Sequence, residues 1–172
     1  LAGLAAHALR DTERSYVLVS GYTNSRLAHQ QLAQVRGIRA QWSDGSVFGG
    51  RTPEIRHVAV PFGIHKPEEG REEKSQRTRA LVFFTLGVVT ARQADADTLL
   101  VYENGVGALN LPLNETQLGV DNYRGVHPLS LIKVRELFAL VLERTIQIRN
   151  PFLFHTKAEM CMALKPAGLA DL

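Results

Sequence analysis

Three short runs rich in β-branched apolar residues limit what this chain can become: 15–20 (SYVLVS), 54–61 (EIRHVAVP) and 98–102 (TLLVY). Each is of strand length, and the first, 15–20, is a short apolar run. That suits a strand buried on both faces of a parallel sheet better than the one-sided alternation of an antiparallel sheet. Gly21 follows the first run and Pro61 closes the second, and both residue types end strands. The stretches between the runs carry helical spacing. Asn24 stands before 25–35, where Leu27, Gln31, Leu32 and Val35 recur along one face, as in a capped amphipathic helix. The run 81–91 (LVFFTLGVVTA) is apolar on nearly all sides after a polar start at Ser75, which predicts a central buried helix. Leu1, Leu4, Ala5, Ala8 and Leu9 read as an opening helix, and Pro128 begins one expected to reach Gln147. A final short helix is expected near Thr156, the polar 66–74 as a solvated loop, and the Gly/Pro-rich 103–126 as a long loop.

Strand–helix alternation of this kind predicts one α/β domain over residues 1–172, a parallel sheet flanked by helices and wound in right-handed βαβ units. Ligands of such sheets sit beyond the carboxyl ends of the strands, so 20–24, 61–65 and 103–110 are the segments to inspect. Composition narrows the class further. With 45% hydrophobic and 22% charged residues, the chain has a globular rather than a disordered or fibrous make-up. The excess of 20 basic over 17 acidic residues is too small and scattered for a nucleic-acid or membrane patch. No apolar stretch approaches the roughly 20 residues of a membrane span. Cys161 is the single cysteine, so no internal disulfide and no multi-cysteine zinc site is expected within these residues. A soluble cytoplasmic domain is the expectation. The uncapped helical pattern at Leu1 and the loop-like approach to Leu172 also lead us to expect a piece of a longer polypeptide.

Four segments carry residues suited to binding. In 73–79 (EKSQRTR), Arg77 and Arg79 fall at a helix start beside Gln76, where positive charge opposes the helix dipole unless an anion is near. The segment 103–112 (ENGVGALNLP) follows a strand, with Glu103, Asn104 and Asn110 as hydrogen-bonding groups between glycines. Arg124 and His127 precede a helix in 123–128 (YRGVHP). In 150–160 (NPFLFHTKAEM), Thr156 and Glu159 have capping-box spacing, and Lys157 falls at the first helical position. Each has a plain structural alternative, namely surface ion pairs for the arginines and caps or turns for the rest. Cys161 reads as a packed small hydrophobe, and the six histidines show no metal-ligand spacing.

Taken in order, the VLVS strand, the SQRTRALVFF helix, VYENG, RGVHP and the closing NPFLFHTKAEM resemble 7-cyano-7-deazaguanine synthase (QueC), and more closely the QueC-like proteins of bacterial anti-phage operons. The resemblance spans nearly the whole chain. It implies the PP-loop ATP pyrophosphatase superfamily, with a Rossmann-like adenine-nucleotide alpha-hydrolase fold. ATP with Mg2+, a deazaguanine-type or related carboxylate, and an amine acceptor would then be the reactants of a ligase or nitrile synthase in queuosine biosynthesis, nucleoside modification or phage defence. It further implies Ser20, Gly21, Gln76 and Arg77 at the nucleotide, Arg77 and Lys157 as catalytic cations, and Glu103, Asn104, Asn110, Arg124 and His127 at the substrate. The family's SGGxDS loop, its first strand and its zinc-binding cysteines have no counterpart in these residues, so the 172 residues alone are expected neither to turn over ATP nor to hold zinc. Operon-encoded partners or a homodimer fit this expectation, and a catalytically inactive binding module of the same fold is the alternative.

Overall fold

A computed structural model describes residues 15–43, 54–63, 79–109, 115 and 125–165. The expected opening helix and the 66–74 loop lie outside these residues. Chain order is β1 (Tyr16–Tyr22), α1 (Ser25–Ser43), β2 (Ile55–Pro61), α2 (Arg79–Gln93), β3 (Thr98–Leu100), α3 (Gly105–Leu109), α4 (Pro128–Leu142), β4 (Gln147–Arg149) and α5 (Lys157–Met162). The architecture is α/β, with parallel strands flanked by helices. The strands form two separate pairs rather than the single sheet expected. β1 pairs with β2 from Tyr16 opposite Ile55 to Tyr22 opposite Pro61, and β3 pairs with β4 from Thr98 opposite Gln147 to Leu100 opposite Arg149.

Helix α2 joins the two pairs. Its Phe83 lies against Gly21 at the carboxyl end of β1, and its Gly87 lies against the Leu99 side chain of β3. Ala80 and Phe84 pack with Val101 near one end of α2, and Ala91 packs with Ala96 near the other. β3 therefore runs opposite to α2, and the carboxyl end of β1 meets the amino half of that helix. Helix α4 closes the core on the β4 side, where Leu131, Val134, Phe138 and Leu142 meet the same apolar group from α2, β3 and β4. Burying side chains of this size stabilises the fold by about 1.5–3 kcal/mol each.

Several expectations need correction. Helix α1 continues to Ser43 rather than stopping near Val35, burying Val35 and Ile38. Helix α2 is buried along one side only. Phe84 and Val88 are enclosed whereas Leu81, Val82 and Val89 are exposed, so its all-round apolar character marks an exposed strip as well as a core face. The 103–126 segment contains the short helix α3. Helix α4 ends at Leu142, and 147–149 is a strand. Its sequence QIR is too short to carry a periodicity, and its partner β3 is what makes it a strand. Cys161 is exposed, not packed. No helix among the described residues is long and apolar enough to cross a membrane.

The end of α4 is set by Glu143, which has φ 50° and ψ 26°. This left-handed conformation costs a side-chain-bearing residue about 1–2 kcal/mol and a glycine nothing. Allowing for the larger entropy of an unfolded glycine, Glu143→Gly should stabilise the protein by about 0.5–1 kcal/mol. Thermal denaturation should show a midpoint raised by about 1–4 °C; an unchanged or lower midpoint would contradict this account.

Candidate functional site

The carboxyl ends of β1 and β2 meet the amino end of α1. Strand β1 stops at Tyr22, and Asn24 caps the helix by accepting the Leu27 amide at 2.9 Å. Phe62 continues the ladder by donating its amide to the Tyr22 carbonyl at 3.0 Å. Tyr22, Thr23, Asn24, Ser25, Pro61, Phe62 and Gly63 line a hollow of about 340 Å³, within the size range of small-molecule sites. Its floor is fixed by packing. A β-carbon on Gly21 would collide with the Phe62 ring and lie 3.0 Å from Phe83. Those two rings meet edge to face at 5.8 Å, and the Arg79 guanidinium lies over Phe83, 5.7 Å from its centre. Gly21 is thus required because two aromatic rings occupy the space a side chain would need.

Ser20, next to Gly21, points to the opposite face of the strand pair. Its Oγ lies 2.7 Å from Nε2 of His57 in β2. Burial lowers the His57 pKa below its ordinary value, and the nearby Arg39 guanidinium lowers it further. Arg39 belongs to α1 and donates from Nε and Nη2 to the Ile55 carbonyl at 3.1 and 2.8 Å. Helix α1 therefore covers the Ser20–His57 face, and α2 covers the Gly21 face. Gln31 of α1 donates to the Gly21 carbonyl at 3.0 Å, while its buried Oε1 has no partner among the described residues.

A second group gathers at the carboxyl end of β3. Asn104 accepts the Gly107 amide at 3.0 Å and so caps α3. The Glu103 carboxylate accepts from the Asn104 backbone at 3.0 Å and from its side chain at 2.6 Å. Asn150 donates to the Glu103 carbonyl at 2.8 Å, and Gly105 donates to the His155 carbonyl at 2.8 Å. A β-carbon on Gly105 would collide with the Leu153 carbonyl. The 103–107 turn is locked to the 150–155 turn, with Phe152 fully buried beneath it against Tyr102 and His155.

The structure brings Ser20 and Gly21 to one strand end and Glu103 and Asn104 to another. His127 caps α4, its Nδ1 accepting the Leu129 amide at 3.2 Å, which leaves the ring proton on Nε2. Lys157 stands at the first position of α5 as expected, and the Thr156–Glu159 capping box is complete. The Glu159 carboxylate accepts from the Thr156 backbone and hydroxyl at 2.7 and 2.9 Å, and these bonds lower its pKa. A carboxylate already faces this helix end, so the placement of Lys157 does not by itself require a bound anion. Gln76, Arg77, Asn110 and Arg124 lie outside the described residues. Among the described residues no three His, Cys, Asp or Glu side chains come together as a metal cage. Sequence reading singled out the 61–65 segment that holds Phe62 but missed the roles of His57, Gln31 and Asn150. The one signal was His57, a polar residue inside an apolar strand run; the others depend on pairing register.

Compared with models of known protein families the chain matches none, and no curated protein shows significant similarity to it.

The lowered His57 pKa sets a pH dependence. Its folded-state value lies below that of the unfolded chain, about 6.5. The stability it contributes is therefore complete above that pH and is lost as pH falls through the folded-state value. The melting temperature of the native protein should fall more between pH 7.5 and pH 5.5 than that of His57→Gln. Equal falls in the two proteins would remove His57 from this role.

Proposed function

We propose that this chain is an adenine-nucleotide-binding domain of the PP-loop type, belonging to an enzyme that adenylates a carboxylate. The observation that carries the reading is the change of winding between β2 and β3. The β1–α1–β2 crossover lies on one face, and α2 returns over the other face to reach β3. Doubly wound sheets bind ligands at the carboxyl ends of the strands beside such a change. Here that edge carries the hollow at Tyr22–Ser25 and Phe62, and the 103–107 turn. The sequence resemblance to QueC-like proteins supplies the finer part of the reading.

In this reading the hollow takes the adenosine, with Phe62 offering a ring against the base and Ser20–Gly21 forming the strand end beneath it. The substrate carboxylate attacks the α-phosphate, pyrophosphate leaves, and an amine then displaces AMP from the acyl adenylate. Arg77 and Lys157 would offset phosphate or carboxylate charge, and Glu103, Asn104, Asn110, Arg124 and His127 would surround the acceptor. Positioning and charge stabilisation supply most of the rate in such a step. The described residues do not form a cage for Mg2+, so no step is assigned to it. The second reading, a binding module without catalysis, is favoured by the capping roles of Asn104 and His127. Their side chains serve helices α3 and α4 directly.

Titration calorimetry with ATP and with AMP tests the proposal on the 172-residue protein. Both nucleotides should bind saturably. Phe62→Ala should weaken binding by about tenfold, the scale of one lost base–aromatic contact, with the fold checked by its melting curve because Phe62 also packs on Phe83. Absence of saturable binding by either nucleotide at millimolar concentration would reject it in favour of the module.

A further inference from the structure

Helix α4 has two apolar faces, and the fold uses one of them. Leu131, Val134, Phe138 and Leu142 turn inward to α2, β3 and β4. On the outer side Leu129, Ile132, Leu137, Leu140 and Val141 are exposed. A helix that meets water on its outer face ordinarily carries polar residues there, and a contiguous apolar face marks a contact surface instead. Leu129, Lys133, Glu136 and Leu140 follow one another at intervals of four, three and four residues, the spacing that keeps a row on one side of a helix. Ile132 and Leu137 flank that row on its two sides. Leu129 at one end is 58% exposed and Leu140 at the other is 81% exposed, so no described element shields the row.

The order of residues in the row says what covers it. It reads Leu, Lys, Glu, Leu, and reversed it is its own complement. Two such helices can run antiparallel about a two-fold axis that crosses α4 between Val134 and Arg135. Leu129 then meets the second copy's Leu140, Lys133 meets the second copy's Glu136, and symmetry repeats both contacts. A parallel pair would set Lys133 against Lys133 and Glu136 against Glu136, which like charge opposes. Within one chain Lys133 Nζ and Glu136 Oε2 stand 3.8 Å apart with both side chains more than half exposed, so each can also meet a second partner.

We infer that the outer face of α4 is a self-association surface, on which a second copy of this chain lays its own α4 antiparallel in this register. The charged pair at the centre of an otherwise apolar row fixes the register, as a polar core position does in a coiled coil, at a cost in affinity. Helix α4 has 15 residues and is about 22 Å long. This contact is therefore smaller than the roughly 1,600 Å² of a stable interface, and the dimer is a weak one that dissociates at micromolar concentration. The inference does not depend on the nucleotide reading, because it uses none of the residues assigned to the nucleotide.

Sedimentation velocity of the 172-residue protein across the micromolar range tests this, with reductant present because the exposed Cys161 would otherwise cross-link copies. The protein should show a reversible monomer–dimer equilibrium. Leu140→Glu should weaken it at least about tenfold, the scale of losing one central apolar contact, with an unchanged melting curve because that side chain is exposed in the single copy. Lys133→Glu places like charges together at the centre and should weaken the dimer about tenfold as well. Combining Lys133→Glu with Glu136→Lys should restore it, because the exchanged pair meets in the same register. A protein that stays monomeric throughout the range would overturn the inference. So would a dimer indifferent to Leu140→Glu, or a double variant that associates no more tightly than Lys133→Glu alone.

Discussion

The close approach of α2 to β3 at Gly87 is the contact on which the described fold depends. A β-carbon there would sit 2.8 Å from one terminal carbon of Leu99 and 2.9 Å from the other. The helix backbone can therefore lie directly on the strand, bringing Phe84 and Val88 into the apolar group shared with Phe138 and Ile148. Four residues earlier Phe83 reaches Gly21. One helix thus packs on both strand pairs with one small residue at each contact, Gly87 on the helix and Gly21 on β1. No ladder among the described residues links the pairs, so side-chain packing on α2 takes the place of backbone hydrogen bonding between them.

This arrangement explains where chemistry can occur. Because α1 and α2 cover opposite faces, the strand ends emerge between two helix ends rather than beneath one. At β1 that leaves a hollow with an aromatic wall, and at β3 a turn whose polar groups are largely committed to one another. Glu103, Asn104 and Asn150 form one connected set of hydrogen bonds, which makes the turn rigid. A rigid turn suits a site that must present a surface in one geometry, and it equally suits a turn that only joins a strand to a helix. The hollow beside Phe62 is the less committed of the two.

Much of the fold was legible in the residues, for reasons that can be named. β1 and β2 are runs rich in β-branched residues; Pro61 ends the second as expected, whereas the first passes through Gly21 to Tyr22. Helix α5 begins at a reciprocal Thr156–Glu159 pair, and α4 begins at Pro128. These are local effects, because conformational preference and short-range hydrogen bonds act within four residues. The candidate site was half legible. Ser20, Gly21, Glu103 and Asn104 stand at strand ends as expected, but Asn104 proved to be a cap, and Lys157 shares its helix end with a carboxylate. The Ser20–His57 contact joins residues 37 apart in sequence and follows only from the register of β1 on β2.

The sequence by itself determined the α/β alternation, the starts of the later helices and the parallel character of the strands, since these follow from apolar periodicity and local capping. Tertiary structure decided the rest. It made a strand of Gln147–Arg149, whose three residues have no pattern of their own but complete the ladder of β3. It exposed Leu81, Val82 and Val89 on a helix that is apolar all round, because a helix packed against strands on one side can bury only that side. It also parted the strands into two pairs with an open cleft between them. Local sequence can make a segment extended, but which edges meet is set by how the helices pack across them.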